Sequence, residues 1–257
     1  MLRRWCIPLA ILALALSPAL AAGSATAATA TVQGHPTTVR SGGLRVHTGI
    51  SNAAQSTNWS GYAADSGTYT SVSASWVQPT GTCTSATRYS SFWVGLDGYN
   101  SSTVEQTGTD TDCVHGKPQY YGWYEMYPAN SYSFGNTVKP GDHITASVVY
   151  EGSNEFKLTL ADTTQNWSVS TTQALAGAAR SSAEVIIEAP CCTNSGGILP
   201  LADFGTVNVS NSVADGTPIG NLSPTQIIMV DSSGLDKDTV SSLSSGENFS
   251  ATWERAS

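Results

Sequence analysis

The sequence predicts an all-β protein built as an antiparallel double-sheet β-sandwich, and three observations carry that expectation. From residue 58 onward, short runs rich in β-branched and aromatic residues alternate with turn residues such as Asp97-Gly98, Pro140-Gly141-Asp142 and Asp215-Gly216; this is the punctuation of successive strands. Only one stretch, Thr172 to Arg180, has a helical look. Ser, Thr, Gly, Tyr and Trp fill the chain while charged residues make up 12% of it, about half the roughly 25% usual in soluble domains, which is the composition of an extracellular β protein.

Taken in chain order, the first element is a leader. Arg3 and Arg4 precede an apolar run from Cys6 to Ala22 broken only by Pro8, Ser17 and Pro18, and Ala25-Thr26-Ala27 offers a small-residue cleavage site. Residues 1–28 therefore read as a secretory signal peptide. No later hydrophobic run approaches the roughly twenty residues that span a bilayer, so no membrane partner is expected. Residues 29–55 carry His35, Arg40, Arg45 and His47 without sustained apolar periodicity, and read as a short propeptide or disordered arm.

Residues 56–257 contain no linker and form one expected domain. Strands are expected at Ser71 to Val77, Ser90 to Leu96, Ser102 to Gly108, Tyr120 to Tyr127, His143 to Tyr150, Glu155 to Leu160, Ala183 to Glu188, Phe204 to Val209, Ile227 to Val230 and Phe249 to Trp253. Many short strands with almost no helix give a sandwich of the jelly-roll-like or concanavalin-like kind.

Charge and cysteines exclude several functions. The chain has 11 basic and 19 acidic side chains and a net charge of -8; losing the leader removes two arginines and makes it more acidic. Nucleic acid, which needs clustered Lys and Arg, is excluded as a partner. Four cysteines outlast the leader, namely Cys83, Cys113, Cys191 and Cys192, and export favours disulfides. Three pairings are open. A bridge between adjacent Cys191 and Cys192 would be strained, because consecutive Cα atoms lie about 3.8 Å apart, so Cys83 with Cys113 is the preferred pair. It would contribute roughly 3.5 kcal/mol in the chain-entropy model. No paired C-x-x-C spacing supports a zinc site, no G-x-S-x-G elbow supports a serine nucleophile, and no cofactor is expected.

Applying the period of two to the strands separates their faces. Trp93 and Asp97 share one face, with Val94 and Leu96 opposite. Gln106 opposes Glu105. Trp123, Glu125 and Tyr127 project together, and Glu184 and Glu188 share a face with Val185 and Ile187 behind them. Four strands thus each mix carboxylate or amide with aromatic or small residues on one face. If those faces line one side of one sheet, they form a groove with convergent acids.

Asn58-Trp59-Ser60-Gly61-Tyr62, Ser75-Trp76-Val77-Gln78-Pro79, Phe92-Trp93-Val94-Gly95-Leu96-Asp97-Gly98, Glu105-Gln106-Thr107-Gly108, Trp123-Tyr124-Glu125-Met126-Tyr127-Pro128, Ala183-Glu184-Val185-Ile186-Ile187-Glu188 and Ala202-Asp203-Phe204-Gly205 follow one another in the chain. This succession resembles the glutamic peptidases, or eqolisins, over roughly residues 56 to 255. The resemblance implies a double-sheet sandwich and an acid-acting endopeptidase that resists pepstatin, with a catalytic dyad at Gln106 and Glu188. It also implies that Trp59 and Trp93 line the groove, that Asp97 and Asp110 orient the dyad, and that Glu125 lies on the substrate side. Three positions depart from the pattern: Val185 and Met126 stand where many members carry Trp, and Ala189 replaces an acid. These departures are expected to alter subsite shape.

The chemistry supports the dyad. Cleaving a peptide bond takes an attacking water, a base for its proton, a donor for the oxyanion and an acid for the leaving amine. A carboxylate can act as base and then acid, and an amide offers both a donor and an acceptor that do not titrate in acid. Glu184 is the rival base by strand parity, and Glu105 a lesser one. Two other functions fit a secreted aromatic-rich sandwich. One is a glycoside hydrolase using two carboxylates such as Glu125 and Glu188, and the other is a carbohydrate-binding module. The expected partner is a polypeptide substrate, the expected state a secreted monomer, and the sparse charge is expected to let the fold tolerate acid.

Overall fold

The computed structural model describes residues 33–34, 46–47, 53–191 and 197–257. Its strands in chain order are β1 (Gln33–Gly34), β2 (Val46–His47), β3 (Ala54–Ser56), β4 (Trp59–Ala64), β5 (Ser71–Val77), β6 (Ser91–Leu96), β7 (Val104–Val114), β8 (Lys117–Tyr127) and β9 (Tyr132–Thr137). There follow β10 (His143–Gly152), β11 (Glu155–Asp162), β12 (Trp167–Ala174), β13 (Ala183–Glu188), β14 (Thr206–Ala214), β15 (Thr217–Pro218), β16 (Thr225–Met229), β17 (Asp238–Val240) and β18 (Phe249–Trp253). Among the described residues one 3-10 turn, Ile219–Leu222, interrupts them.

The strands form two sheets. One has ten strands in the order β1-β9-β8-β7-β6-β13-β4-β16-β3-β2; the other runs β12-β11-β10-β5-β14-β18-β17, with β15 added against β14. Pairing is antiparallel throughout except between β16 and β3. The sandwich expected from the sequence is therefore present.

Burial follows strand parity. In the eight-stranded sheet, β5 and β10 alternate between buried and more open positions, as strands with one wet face do. In the ten-stranded sheet β4, β6 and β13 are buried at every position. Their Tyr62, Phe92, Val94, Leu96, Val185 and Ile187 pack into the core between the sheets with Trp76, Ile144, Val148 and Phe156. Their other face carries a second apolar cluster of Trp59, Ala63, Trp93, Val104, Trp123, Ile186 and Ile227.

Three differences from the sequence expectation have physical causes. Thr172 to Arg180 is not helical: residues up to Ala174 complete β12, whose eight positions all pair with β11. Ladder hydrogen bonds there outweigh the weak helical preference of Ala and Gln. The strands β4, β9 and β12 were not expected, because their Gly, Ser and Thr content lacks a strong apolar alternation. The hairpin β7–β8 is longer than expected, pairing from Val104↔Tyr127 to Val114↔Lys117.

Cys83 and Cys113 are joined, as preferred above. The bridge ties the segment before β6 to the end of β7. Cys191 is also disulfide-bonded. The expected signal peptide lies outside the described residues. Of the expected arm, the described parts are β1 and β2, which pair with opposite edges of the ten-stranded sheet, and Ala53 with the first two residues of β3.

Candidate active site

Register builds the site. Three rows of side chains cross one face of the ten-stranded sheet, from β4 through β13, β6 and β7 to β8. The first row is Ala63, Glu184, Gly95, Gln106 and Glu125; the second is Gly61, Ile186, Trp93, Gly108 and Trp123; the third is Trp59, Glu188, Ser91, Asp110 and Tyr121. Successive positions in a row lie about 4.8 Å apart and successive rows about 7 Å apart. Gln106 and Glu188 are thus on the same face, with β6 between them and an offset of two rows, or four residues, roughly 16 Å apart at Cα.

Each of these two side chains is held from its own side. Glu188 accepts hydrogen bonds from Trp93 Nε1 at 2.9 Å and from Asn58 Nδ2 at 3.3 Å. Gln106 donates from Nε2 to Glu125 Oε2 at 2.9 Å, while its Oε1 has no hydrogen-bond partner among the described residues. Trp59, the cross-strand partner of Glu188, stacks edge-on against Trp93 with ring centroids 4.9 Å apart, and its Nε1 has no hydrogen-bond partner among the described residues. In the intact chain Gln106, Glu125, Glu188 and Trp59 are all fully buried.

Glycines make room for the rings. A Cβ on Gly108 would meet the Phe92 carbonyl oxygen at 2.1 Å and Trp93 Cβ at 2.6 Å, so the middle row accommodates Trp93 only if residue 108 has no side chain.

Of the residues named from the sequence, Gln106, Glu188, Trp59, Trp93, Asp110 and Glu125 come together on this face. Asp97 does not join them. It follows the end of β6 at φ 67°, so strand parity no longer governs its side chain. Its carboxylate accepts hydrogen bonds from Arg180 N, Ser181 N and Ser181 Oγ, binding the loop that leads into β13 rather than the dyad. Glu125, expected on the substrate side, is engaged with Gln106. Glu105 pairs with Leu96 and Met126 on the face toward the inter-sheet core; burial, with the Asp97 charge, pushes its carboxyl up to about 8. Glu184 is on the site face, but burial holds its carboxyl well above the usual range, with Asp97 and Glu105 adding to the effect.

Several site residues escaped the sequence reading. Asn58 adjoins Trp59 in the first motif, and only folding brings its amide to Glu188. Trp123 shares a strand face with Glu125, a signal that was available. Tyr121 and Asp112, joined by a 2.6 Å hydrogen bond, continue the same two faces by parity. The departures at Val185 and Met126 lie on the opposite face, and both side chains, with Ala189, pack in the inter-sheet core. They alter core packing and not the site surface, contrary to the expectation that they reshape subsites.

Among the described residues no group of three or more His, Cys, Asp or Glu side chains is placed to hold a metal ion. A sandwich with a doubly held carboxylate and an anchored amide on one sheet face has the parts of an acid–base hydrolase. The chain belongs to the peptidase A4 family, whose profile matches residues 57–253. Solved structures agree. Scytalidoglutamic peptidase with a transition-state-analogue inhibitor superposes at a TM-score of 0.68 with 26% identity, covering 77% of this chain and 98% of that one. SCP-B, an eqolisin in complex with the tripeptide Ala-Ile-His, gives 0.63 and 25% with the same coverage. Aspergilloglutamic peptidase from Aspergillus niger gives 0.58 and 27%, covering 65% and 99%. No curated protein sequence matches. The chain is a glutamic endopeptidase.

Proposed function

We propose that this endopeptidase is secreted, works in acid and hydrolyses polypeptides through Glu188 and Gln106, with Glu188 as base and then acid. The supporting observation is the double hydrogen bonding of Glu188. Two N–H donors reach its two oxygens and hold them in a fixed orientation toward the site face, as a proton acceptor requires. Glu184, the rival on the same strand, is burdened by burial and two neighbouring acids, which favour its protonated form.

In the proposed reaction a water lies between the two side chains. Glu188 takes its proton as the oxygen attacks the scissile carbonyl carbon, and the carbonyl oxygen becomes an oxyanion. The remaining Gln106 Nε2 hydrogen donates to that oxyanion, since the other is committed to Glu125; Oε1 is available to hold the water. Glu188 then gives the proton to the amide nitrogen, the C–N bond breaks, and an acid and an amine leave. No cofactor is needed.

The ligands of the relatives, a transition-state analogue and a tripeptide, support polypeptide substrates. The leader-like first 28 residues and the disulfide support secretion into an oxidising compartment. All dyad atoms come from one chain, which suits a monomer. Residues 29–55 are proposed as a removable propeptide, because the family match begins only at residue 57 and the dyad is buried in the untrimmed chain.

The test is cleavage of an unfolded protein at about pH 3 to 4, near the carboxylate reference value, by chain trimmed to begin at residue 56, with pepstatin present. Glu188→Gln and Gln106→Ala should each abolish cleavage while melting cooperatively. Activity retained in Glu188→Gln would remove Glu188 as the base.

A further inference from the structure

Next to the proposed dyad lies a second pair of acids that the mechanism does not use. Asp110 and Asp112 point to the same face of β7, two residues apart, and both are buried. Each takes a hydrogen bond from β8: Trp123 Nε1 donates to Asp110 Oδ1 at 2.5 Å, and the Tyr121 hydroxyl donates to Asp112 Oδ2 at 2.6 Å. The Ser90 amide also donates to Asp112, at 3.3 Å.

Among the described residues, the groups that act most on the pair include no cation. The groups acting on the pair are Tyr121 and Trp123 from β8, Ser91 from β6 and the Ser90 amide just before it, with no lysine, arginine or histidine among them. Tyr89, before β6, feels the charge of Asp112, and Glu188 is a further acid in the same row, two strands from Asp110. Burial opposes ionisation of each carboxyl, and the first charge opposes the second. Such a pair loses its protons as a unit, one far more readily than the other.

We propose that Asp110 and Asp112 are both protonated across the acid range, and that this uncharged buried pair leaves Tyr121 and Trp123 in place as a wall of the site face. Asp112 is then a positioning residue for cleavage, and ionisation of both carboxyls ends the working range from above. Two adjacent carboxylates would repel, and their separation would pull on both β8 side chains. Trp123 packs in one cluster with Trp59 and Trp93, and Trp93 donates to Glu188, so a displaced wall reaches the base. The direction of the ionisations agrees: burial pushes Asp110 up to about 6, and burial with the Asp110 charge pushes Asp112 well up.

This inference rests on the Gln106/Glu188 reading only for the location of the reaction. The experiment is the pH profile of kcat/KM for trimmed wild type, Asp112→Asn, Asp110→Asn and Glu105→Gln. Either Asp variant leaves a single carboxyl, so the upper limb should move up by about one pH unit or more, with the change largely in KM. Glu105→Gln, on the opposite face, should leave that limb in place. An upper limb unmoved in both Asp variants overturns the proposal. If neither variant folds, carboxyl carbon NMR of aspartate-labelled Glu188→Gln protein decides: two aspartates titrating as a linked pair support it, and the absence of such a pair overturns it. Turnover that survives in Glu188→Gln would overturn the dyad reading alone.

Discussion

Gln106 turns its side-chain nitrogen to Glu125 Oε2 across 2.9 Å, a bond between cross-strand partners of β7 and β8. This contact decides which end of the amide faces the reacting atoms. An amide without it can rotate and present the wrong atom. Glu125→Ala should lower kcat about 10²-fold, the effect of a small misplacement of a reacting group, with little change in KM. Steady-state kinetics on a peptide substrate check this, and an unchanged kcat would mean that Gln106 is oriented by something else.

Trp93 plays the matching part for Glu188. Phe would keep an aromatic ring there, but part of the buried packing and the 2.9 Å hydrogen bond from Nε1 would go. A hydrogen bond to a charged group is worth about 1.5 to 3 kcal/mol. Trp93→Phe should therefore reduce kcat/KM by roughly ten- to hundredfold while the variant still unfolds cooperatively, at a lower melting temperature because of the space left in the cluster.

Stability should rise toward acid. Burial raises the carboxyls of Glu105 to about 8, Asp238 to about 7 and Asp110 to about 6, and holds Asp112 and Glu184 well up. The folded chain then binds protons that the unfolded chain has already released. Stability from these groups is complete below their unfolded values, near pH 4, and is lost as pH rises through the folded ones. The melting temperature should be higher at pH 4 than at pH 7.5. Glu105→Gln should raise it at pH 7.5 and change it little at pH 4. A melting temperature higher at neutral pH would contradict this.

Gly108 is predicted to tolerate no side chain. A Cβ there meets a backbone oxygen of β6 at 2.1 Å, and a central strand cannot withdraw as a flexible side chain could. Gly108→Ala should destabilise by at least about 1 to 3 kcal/mol and reduce activity, because the clash also displaces Trp93. Denaturant unfolding measures the first effect. A variant of native stability would show that β6 can shift.

The acid behaviour also refines a compositional argument. Sparse charge suggested that the chain merely survives low pH by having few ionic attractions to lose. Its buried carboxyls go further, since they favour the folded state when protonated. Composition counted 19 acids, but could not distinguish those placed in water from those placed in the core.

The sequence by itself determined the fold class, the strands with clear alternation and the face of each acid that lies within those strands, and it favoured the Cys83–Cys113 bridge. Those properties are local, because a period of two follows from backbone geometry alone. It also singled out Gln106 and Glu188, through the resemblance carried by their motifs. It could not show that β13, β6, β7 and β8 are neighbours in that order, since antiparallel partners may come from anywhere along a chain. Only the tertiary structure brought Asn58 to Glu188, 130 residues away, sent Asp97 to the Arg180 loop, and engaged Glu125 with Gln106. It likewise turned Val185 and Met126 into the core. Long-range register decides which side chains meet, and it is set by how both sheets bury their apolar faces together.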